Sequence, residues 1–283
     1  MKSENSMKPT KVIAIHTLKG GLGKTSLTII LASYLQYVNK KKVLIMDADD
    51  EQLNSFNQRA TEFNLFKEFA KLYSENPVDL QQRLDAYLTK PTYAAALTRF
   101  LYNDRNQISA KDFYPIHQIP EVKAKELSFA RNEYDYVFLD LGGRYNPNIT
   151  GALSLCDVIA IPFMTQQLNL HTSIRYLQLV HNAALSGQLK PTVRLVGFWN
   201  KYSKWFSKIA DATENRINAH FEKSPFFKGF LAERLIQADS GFDTNKMIST
   251  LSSPLLMKGG KYLERMPTFI DSFMAIVDND EKK

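Results

Sequence analysis

One stretch constrains this chain more than any other: Leu18-Lys19-Gly20-Gly21-Leu22-Gly23-Lys24-Thr25-Ser26. It follows the apolar run Val12-Ile13-Ala14-Ile15, which reads as a buried strand, and precedes Leu27 to Val38, which reads as a helix. A strand, a glycine-rich turn and a helix N-terminus together make an anion cradle. Glycines let the backbone approach closely, and the unpaired N–H groups of the first helical turn point at the anion. An ordinary βα turn explains Gly-Gly-x-Gly, but not Gly-Lys-Thr at this offset. The spacing makes Lys24 the residue that reaches β- and γ-phosphates and the Thr25 hydroxyl a Mg²⁺ ligand. Candidate phosphate contacts are therefore Lys19, Gly20, Gly21, Leu22, Gly23, Lys24, Thr25 and Ser26. The strict pattern asks for glycine where Leu18 stands, and Lys19 adds a second lysine near the start of the loop.

Further apolar runs follow at intervals: Val43-Leu44-Ile45-Met46, Tyr134 to Leu139, Asp157 to Pro162 and Val193 to Trp199. Near-continuous apolar strands alternating with helical patterns predict an α/β fold, a mostly parallel twisted sheet flanked by helices on both faces. Residues 1–10 read as a loose tail, and 11–283 as a single domain with a helical insert at about 51–132. Within that insert Phe56, Phe63, Phe66, Phe69 and Leu72 recur at helical spacing, and Val78 to Leu88 and Tyr93 to Tyr102 predict two more helices. A last amphipathic helix is predicted over Tyr262 to Val277.

Ligands of a parallel sheet sit beyond the C-terminal strand ends. Asp47, Asp49 and Asp140 occupy such ends. Carboxylates converging on a triphosphate need a cation between them, which fits Mg²⁺ with its retained waters. Asp140 has the form of a Walker B aspartate, and Thr25, Asp47 and Asp140 are the candidate metal residues. Leu141 follows Asp140, so no adjacent glutamate serves as base, and Asp49 is the candidate for positioning water. The plain alternative is that a strand-end aspartate caps the next helix.

Composition narrows the class. The 283 residues are 44% hydrophobic and 23% charged, a globular balance. The lone Cys156 excludes an internal disulfide, and its apolar surroundings predict a buried thiol. No run is long enough to span a membrane and the start of the chain lacks a secretory core, so a cytoplasmic protein is expected. The net charge of +7 favours an anionic partner.

The motif series Lys-Gly-Gly-x-Gly-Lys-Thr, Asp-x-Asp and a strand ending in Asp resembles the deviant Walker A P-loop ATPases of the ParA/MinD family over roughly residues 11–200. The resemblance implies ATP and Mg²⁺ as ligands. It makes Lys19 the signature lysine that reaches across an ATP-dependent homodimer, with Lys24 on the phosphates. Asp49 then orients water, Asp140 is the Walker B residue, and Asn200 stands where an asparagine reads adenine. A helix N-cap explains Asn200 equally well. Two loops depart from the family: Asp50-Glu51-Gln52 after Asp-x-Asp, and Leu141-Gly142-Gly143-Arg144 after the Walker B strand. Both flank the γ-phosphate, which implies slow or partner-stimulated hydrolysis.

Within the family, a ParA-like ATPase fits best. It would dimerise on ATP, bind DNA without sequence preference, associate with the nucleoid and hydrolyse ATP to segregate or position DNA, with a ParB-like or other adaptor. Residues 190–265 carry 13 Lys and Arg against 7 Asp and Glu. Lys201, Lys204, Lys208, Arg216, Lys258 and Lys261 are the candidate DNA contacts, the first four on one helical stretch beside Tyr202, Trp205 and Phe206; a solvated helix face with an aromatic core side is the alternative. The long insert resembles versions from plasmids and conjugative elements, so a conjugative-transfer accessory ATPase acting on a protein is the competing reading. A MinD-like membrane ATPase is disfavoured by the segment Asp278-Asn279-Asp280-Glu281-Lys282-Lys283, which an anionic leaflet would repel, and a small-molecule P-loop ligase by Lys19.

Overall fold

Among the described residues seven parallel strands form one sheet, in the spatial order Ile116–Gln118, Val43–Ala48, Tyr136–Leu141, Lys11–Ile15, Val158–Phe163, Arg194–Trp199 and Phe227–Phe230. The computed structural model describes residues 9–49, 54–75, 113–235, 250–251 and 265–279. In chain order the elements are β1 (Lys11–Ile15), α1 (Lys24–Tyr37), β2 (Val43–Ala48), α2 (Asn54–Glu75), β3 (Ile116–Gln118), α3 (Ala124–Ala130), β4 (Tyr136–Leu141), α4 (Pro147–Leu153), β5 (Val158–Phe163), α5 (Gln167–Leu185), β6 (Arg194–Trp199), α6 (Ser207–His220), β7 (Phe227–Phe230) and α7 (Met266–Asp278). A 3₁₀ turn, Lys204–Phe206, leads into α6.

The strands are apolar throughout because both faces of the sheet are covered. Alternate residues divide between two cores. Val12, Ala14, Val137 and Leu139 pack against α3, α4, α5 and α6 through Leu127, Leu153, Leu177 and Ile217. Ile13, Ile15, Ile45 and Phe138 face α1 and α7 through Leu31, Phe269 and Phe273. Helix α1 is apolar almost all round and every residue from Leu27 to Leu35 is buried, as expected of a helix inside a domain. In α7, Pro267 in the first turn presets the backbone, and Met266, Phe269, Ile270, Phe273 and Val277 form the inward stripe. Each such fully buried side chain contributes roughly 1.5–3 kcal/mol. Cys156 is fully buried, and burial pushes its thiol pKa far up.

Register places the chemistry. β1 lies between β4 and β5, with Ile13 opposite both Phe138 and Val158. β2 and β4 align so that Asp47 stands beside Asp140 at the same C-terminal edge.

The stretch 51–132 is not helical throughout, because β3 passes through it and pairs with β2. β3 is three residues long, too short for a period-2 signal. β7, also short, adds a strand beside β6 that no apolar run announced. The helices expected over Val78 to Leu88 and Tyr93 to Tyr102 lie outside the described residues, as do residues 262–264 of the last predicted helix.

Candidate functional site

The loop between β1 and α1 turns on two left-handed glycines, Gly21 (φ 78°) and Gly23 (φ 88°). Gly23 immediately precedes α1, and no side chain caps that helix. The first-turn N–H groups of Lys24, Thr25 and Ser26 are therefore presented at the loop. A Cβ on Gly23 would lie 2.5 Å from Asn200 Nδ2. Asn200, at the end of β6, is 2% exposed; its Nδ2 donates to the Leu22 carbonyl at 2.8 Å and its Oδ1 accepts from Lys201 N. The side chain expected to cap a helix or read adenine thus braces the glycine loop from below.

Lys24 sits at the centre of the site. Its Nζ donates weakly to the Lys19 carbonyl at 3.4 Å. Burial lowers its pKa, and the charges of Asp140 and Asp49 oppose that shift. The loop after β4 closes in from the other side. A Cβ on Gly143 would approach Lys24 Nζ to 3.1 Å, and one on Gly142 would approach Asp49 Oδ1 to 3.3 Å. The Gly142-Gly143 pair lets this loop run between Asp49 and Lys24. Lys19 is exposed at the mouth.

The three aspartates divide their tasks. Thr25 Oγ1 donates to Asp140 Oδ1 at 3.0 Å, while the buried Asp140 Oδ2 has no hydrogen-bond partner. Burial, then the neighbouring Asp47 charge, push the Asp140 carboxyl up to about 7, with the Thr25 hydrogen bond opposing. A buried carboxyl with an unpartnered oxygen beside a threonine hydroxyl fits a divalent cation, and Thr25 and Asp140 are the residues that would hold Mg²⁺. Asp47 shares the edge but is otherwise committed. Its Oδ2 accepts from the Ser55 hydroxyl (2.7 Å) and from Phe56 N (3.0 Å), and its Oδ1 accepts from Asp49 N (3.2 Å). It braces the start of α2, and of the two neighbouring carboxylates it is Asp140 that keeps a buried oxygen without a partner. No three His, Cys, Asp or Glu side chains among the described residues could hold a metal by themselves.

The structure adds a residue that sequence reasoning passed over. His16, fully buried at the end of β1, bonds the Gly142 carbonyl through Nε2 (2.8 Å) and the Tyr176 hydroxyl of α5 through Nδ1. A carbonyl only accepts, so Nε2 carries the proton and Nδ1 accepts from Tyr176. The visible signal was a histidine closing an otherwise apolar strand, directly before the loop.

The expected basic face is rearranged. Lys201 takes a left-handed backbone (φ 50°) and donates Nζ to the Gly21 carbonyl at 3.0 Å, so it belongs to the glycine loop rather than to a helical stretch with Lys204. Lys204, Lys208 and Arg216 are exposed along the 3₁₀ turn and α6. Tyr202 is buried, but Trp205 is 95% exposed and Phe206 44%, so those two rings are not the core side of a helix. Lys258 and Lys261 lie outside the described residues.

Residues 10–191 match the family model described as AAA domain (AAA_31), which covers well over half the chain and contains the whole cradle. The chain belongs to this family, the ParA/MinD-like P-loop ATPases. Among solved structures, a Cyanothece McdA variant in complex with ATP is similar at 17% identity and TM-score 0.53, covering 94% of this chain and 96% of that one. The pNOB8 ParA follows at 16% identity and TM-score 0.52, with coverage of 95% and 96%. MinD in the MinC–MinD cell division complex of Aquifex aeolicus is similar at 16% identity and TM-score 0.51, with coverage of 97% and 98%. These likenesses establish that this ATPase-family chain shares their parallel-sheet fold. No curated protein matches the sequence. Among the described residues no helix is long and apolar enough to cross a membrane.

Proposed function

We propose that this ParA/MinD-like chain is an ATP-hydrolysing switch that dimerises on ATP, binds DNA without sequence preference and uses hydrolysis, stimulated by a ParB-like or other adaptor, to segregate or position DNA. The observation that carries the reading is the pairing of a complete phosphate cradle around Lys24 with a second, exposed lysine, Lys19, that one phosphate chain does not need. In this reading the α1 N-terminus and Lys24 neutralise the phosphates. Thr25 and Asp140 hold Mg²⁺, which supplies Lewis-acid neutralisation of the phosphate oxygens when bound. Asp49, held beside Gly142, orients the attacking water. The solved McdA complex, whose fold this chain shares, contains ATP. Lys204, Lys208 and Arg216 supply a cationic face for phosphates of the DNA backbone.

Three variants test the division of labour. Lys24→Ala should weaken ATP binding by roughly tenfold or more, the loss of a charge-assisted contact. Asp49→Ala should keep ATP bound and slow single-turnover cleavage roughly 10²-fold. Light scattering should show doubled mass with a slowly hydrolysed ATP analogue and not with ADP, and Lys19→Ala should abolish the doubling. An Asp49→Ala protein cleaving at the wild-type rate refutes the water-positioning role, and a monomer in both nucleotide states refutes the ATP-dependent homodimer.

A further inference from the structure

Trp205 is 95% exposed, Phe206 beside it is 44% exposed, and Ile209 one turn on is 47% exposed. The other tryptophan of the chain, Trp199, is fully buried six residues earlier. Exposed apolar side chains scattered singly need no explanation, but a contiguous trio led by a tryptophan does. The trio is held rigidly. Ala210 and Ile217 anchor the inner face of α6 in the core. Arg234 grips its outer flank through Asp211 (2.7 Å) and Glu214 (2.6 Å), and the buried Trp199 indole donates to the same Glu214.

The charges around the trio say what it meets. Lys204 precedes Trp205 and Lys208 follows Phe206, both exposed. Continuing along the helical face from Trp205 and Ile209 leads to Ala212 and then to the exposed Arg216. The apolar stretch is thus one turn long and bounded by cations at both ends. A bilayer surface asks for an apolar face that continues for several turns, and this one stops. The outer surface of duplex DNA offers phosphates to the lysines but no partner to two rings. A single strand offers both, because phosphates alternate with bases whose faces stack on aromatic side chains.

We infer that Trp205 and Phe206, framed by Lys204, Lys208 and Arg216, form a stacking site for unpaired nucleic acid, giving this chain a preference for single strands over duplex. The inference rests on the nucleic-acid part of the function proposed above and narrows its substrate class. The chain just before the site is tied to the cradle: Lys201, four residues before Trp205, donates to the Gly21 carbonyl, and Asn200 donates to Leu22.

The molecule carries its own reporter, since Trp199 is sealed in the core and Trp205 is in water. Titration of the full chain with poly-dT should quench the solvent-exposed component of tryptophan emission, and Trp205→Ala should remove that component. By anisotropy, Trp205→Ala should weaken poly-dT binding roughly tenfold and leave duplex affinity unchanged, while Trp205→Phe restores most of the loss. Lys204→Ala and Lys208→Ala should weaken both ligands and each lower the single-strand salt slope by about 0.7. Duplex binding with no single-strand preference and no effect of Trp205→Ala overturns this inference and leaves the DNA reading standing. Absence of binding to either nucleic acid, with a slowly hydrolysed ATP analogue present throughout, overturns both. A blue shift of Trp205 emission on phosphatidylserine vesicles, with no quenching by poly-dT, overturns the stacking site in favour of a lipid surface.

Discussion

Acidification should destabilise this protein through one buried imidazole. His16 is fully buried, and its two ring nitrogens are already engaged, Nε2 donating to Gly142 O and Nδ1 accepting from Tyr176. A proton on Nδ1 would turn that acceptor into a donor and place a charge in the core near the Lys24 ammonium. Burial pulls the His16 pKa down to about 4, partly opposed by the Gly142 carbonyl and reinforced by Lys24. In the unfolded chain the ordinary value is about 6.5. Between these values the unfolded chain binds the proton and the native one refuses it. The stabilising contribution is therefore complete above about pH 6.5 and is lost as pH falls toward 4. The difference amounts to roughly 2 kcal/mol by about pH 5 and roughly 3 kcal/mol in full. Urea unfolding of wild type and His16→Asn, at about pH 7.5 and about pH 5, isolates the effect because every other titrating group is common to both. The wild type should lose roughly 2 kcal/mol more than the variant over that interval. Parallel losses would refute the reasoning and mean that His16 is charged or solvated in the native state.

Two other perturbations read the frame of the site. Gly23→Ala forces a Cβ into a left-handed backbone and to 2.5 Å from Asn200 Nδ2; it should cost roughly 2–4 kcal/mol from strain and a broken buried hydrogen bond, seen as a lower thermal midpoint together with lost ATP affinity. Glu62 of α2 is fully buried and accepts from Thr250 N (2.7 Å) and the Thr250 hydroxyl, while Arg59 donates to the Thr250 carbonyl (2.9 Å) and hydroxyl (2.8 Å); Glu62→Ala should destabilise by roughly 2–3 kcal/mol in urea unfolding, because the buried Thr250 N–H and hydroxyl lose their acceptor.

Elements whose physics is local could be read from the residues alone. A strand of β-branched residues, glycines where the backbone must turn left-handed, and Gly-Lys-Thr opening a helix are all written within a few residues of one another. The glycine turn at Gly21 and Gly23, the helix that opens at Lys24, the parallel sheet and the place of Asp140 at a strand end were legible for that reason. So was the buried thiol of Cys156, which sits inside an apolar run.

The remaining assignments depend on partners distant in sequence. Asp47 and Asp140 look alike as strand-end carboxylates. Ser55 and Phe56 N claim the first, and Thr25, 115 positions away, bonds one oxygen of the second and leaves the other open. Lys201 reads as one of a basic series until its amine is found on Gly21, and Asn200 as a cap until its amide is found under Leu22. The aromatic residues Tyr202, Trp205 and Phe206 carry the same hydrophobic signal, yet one is buried and two face water, because the 3₁₀ turn at Lys204 rotates the latter outward. β3 and β7 exist through pairing with β2 and β6 and are too short to announce themselves by periodicity. His16 joins Gly142 and Tyr176 only after β1 has been inserted between β4 and β5. Local pattern fixes backbone conformation, but a polar side chain's task is set by which groups the long-range register brings within hydrogen-bonding distance.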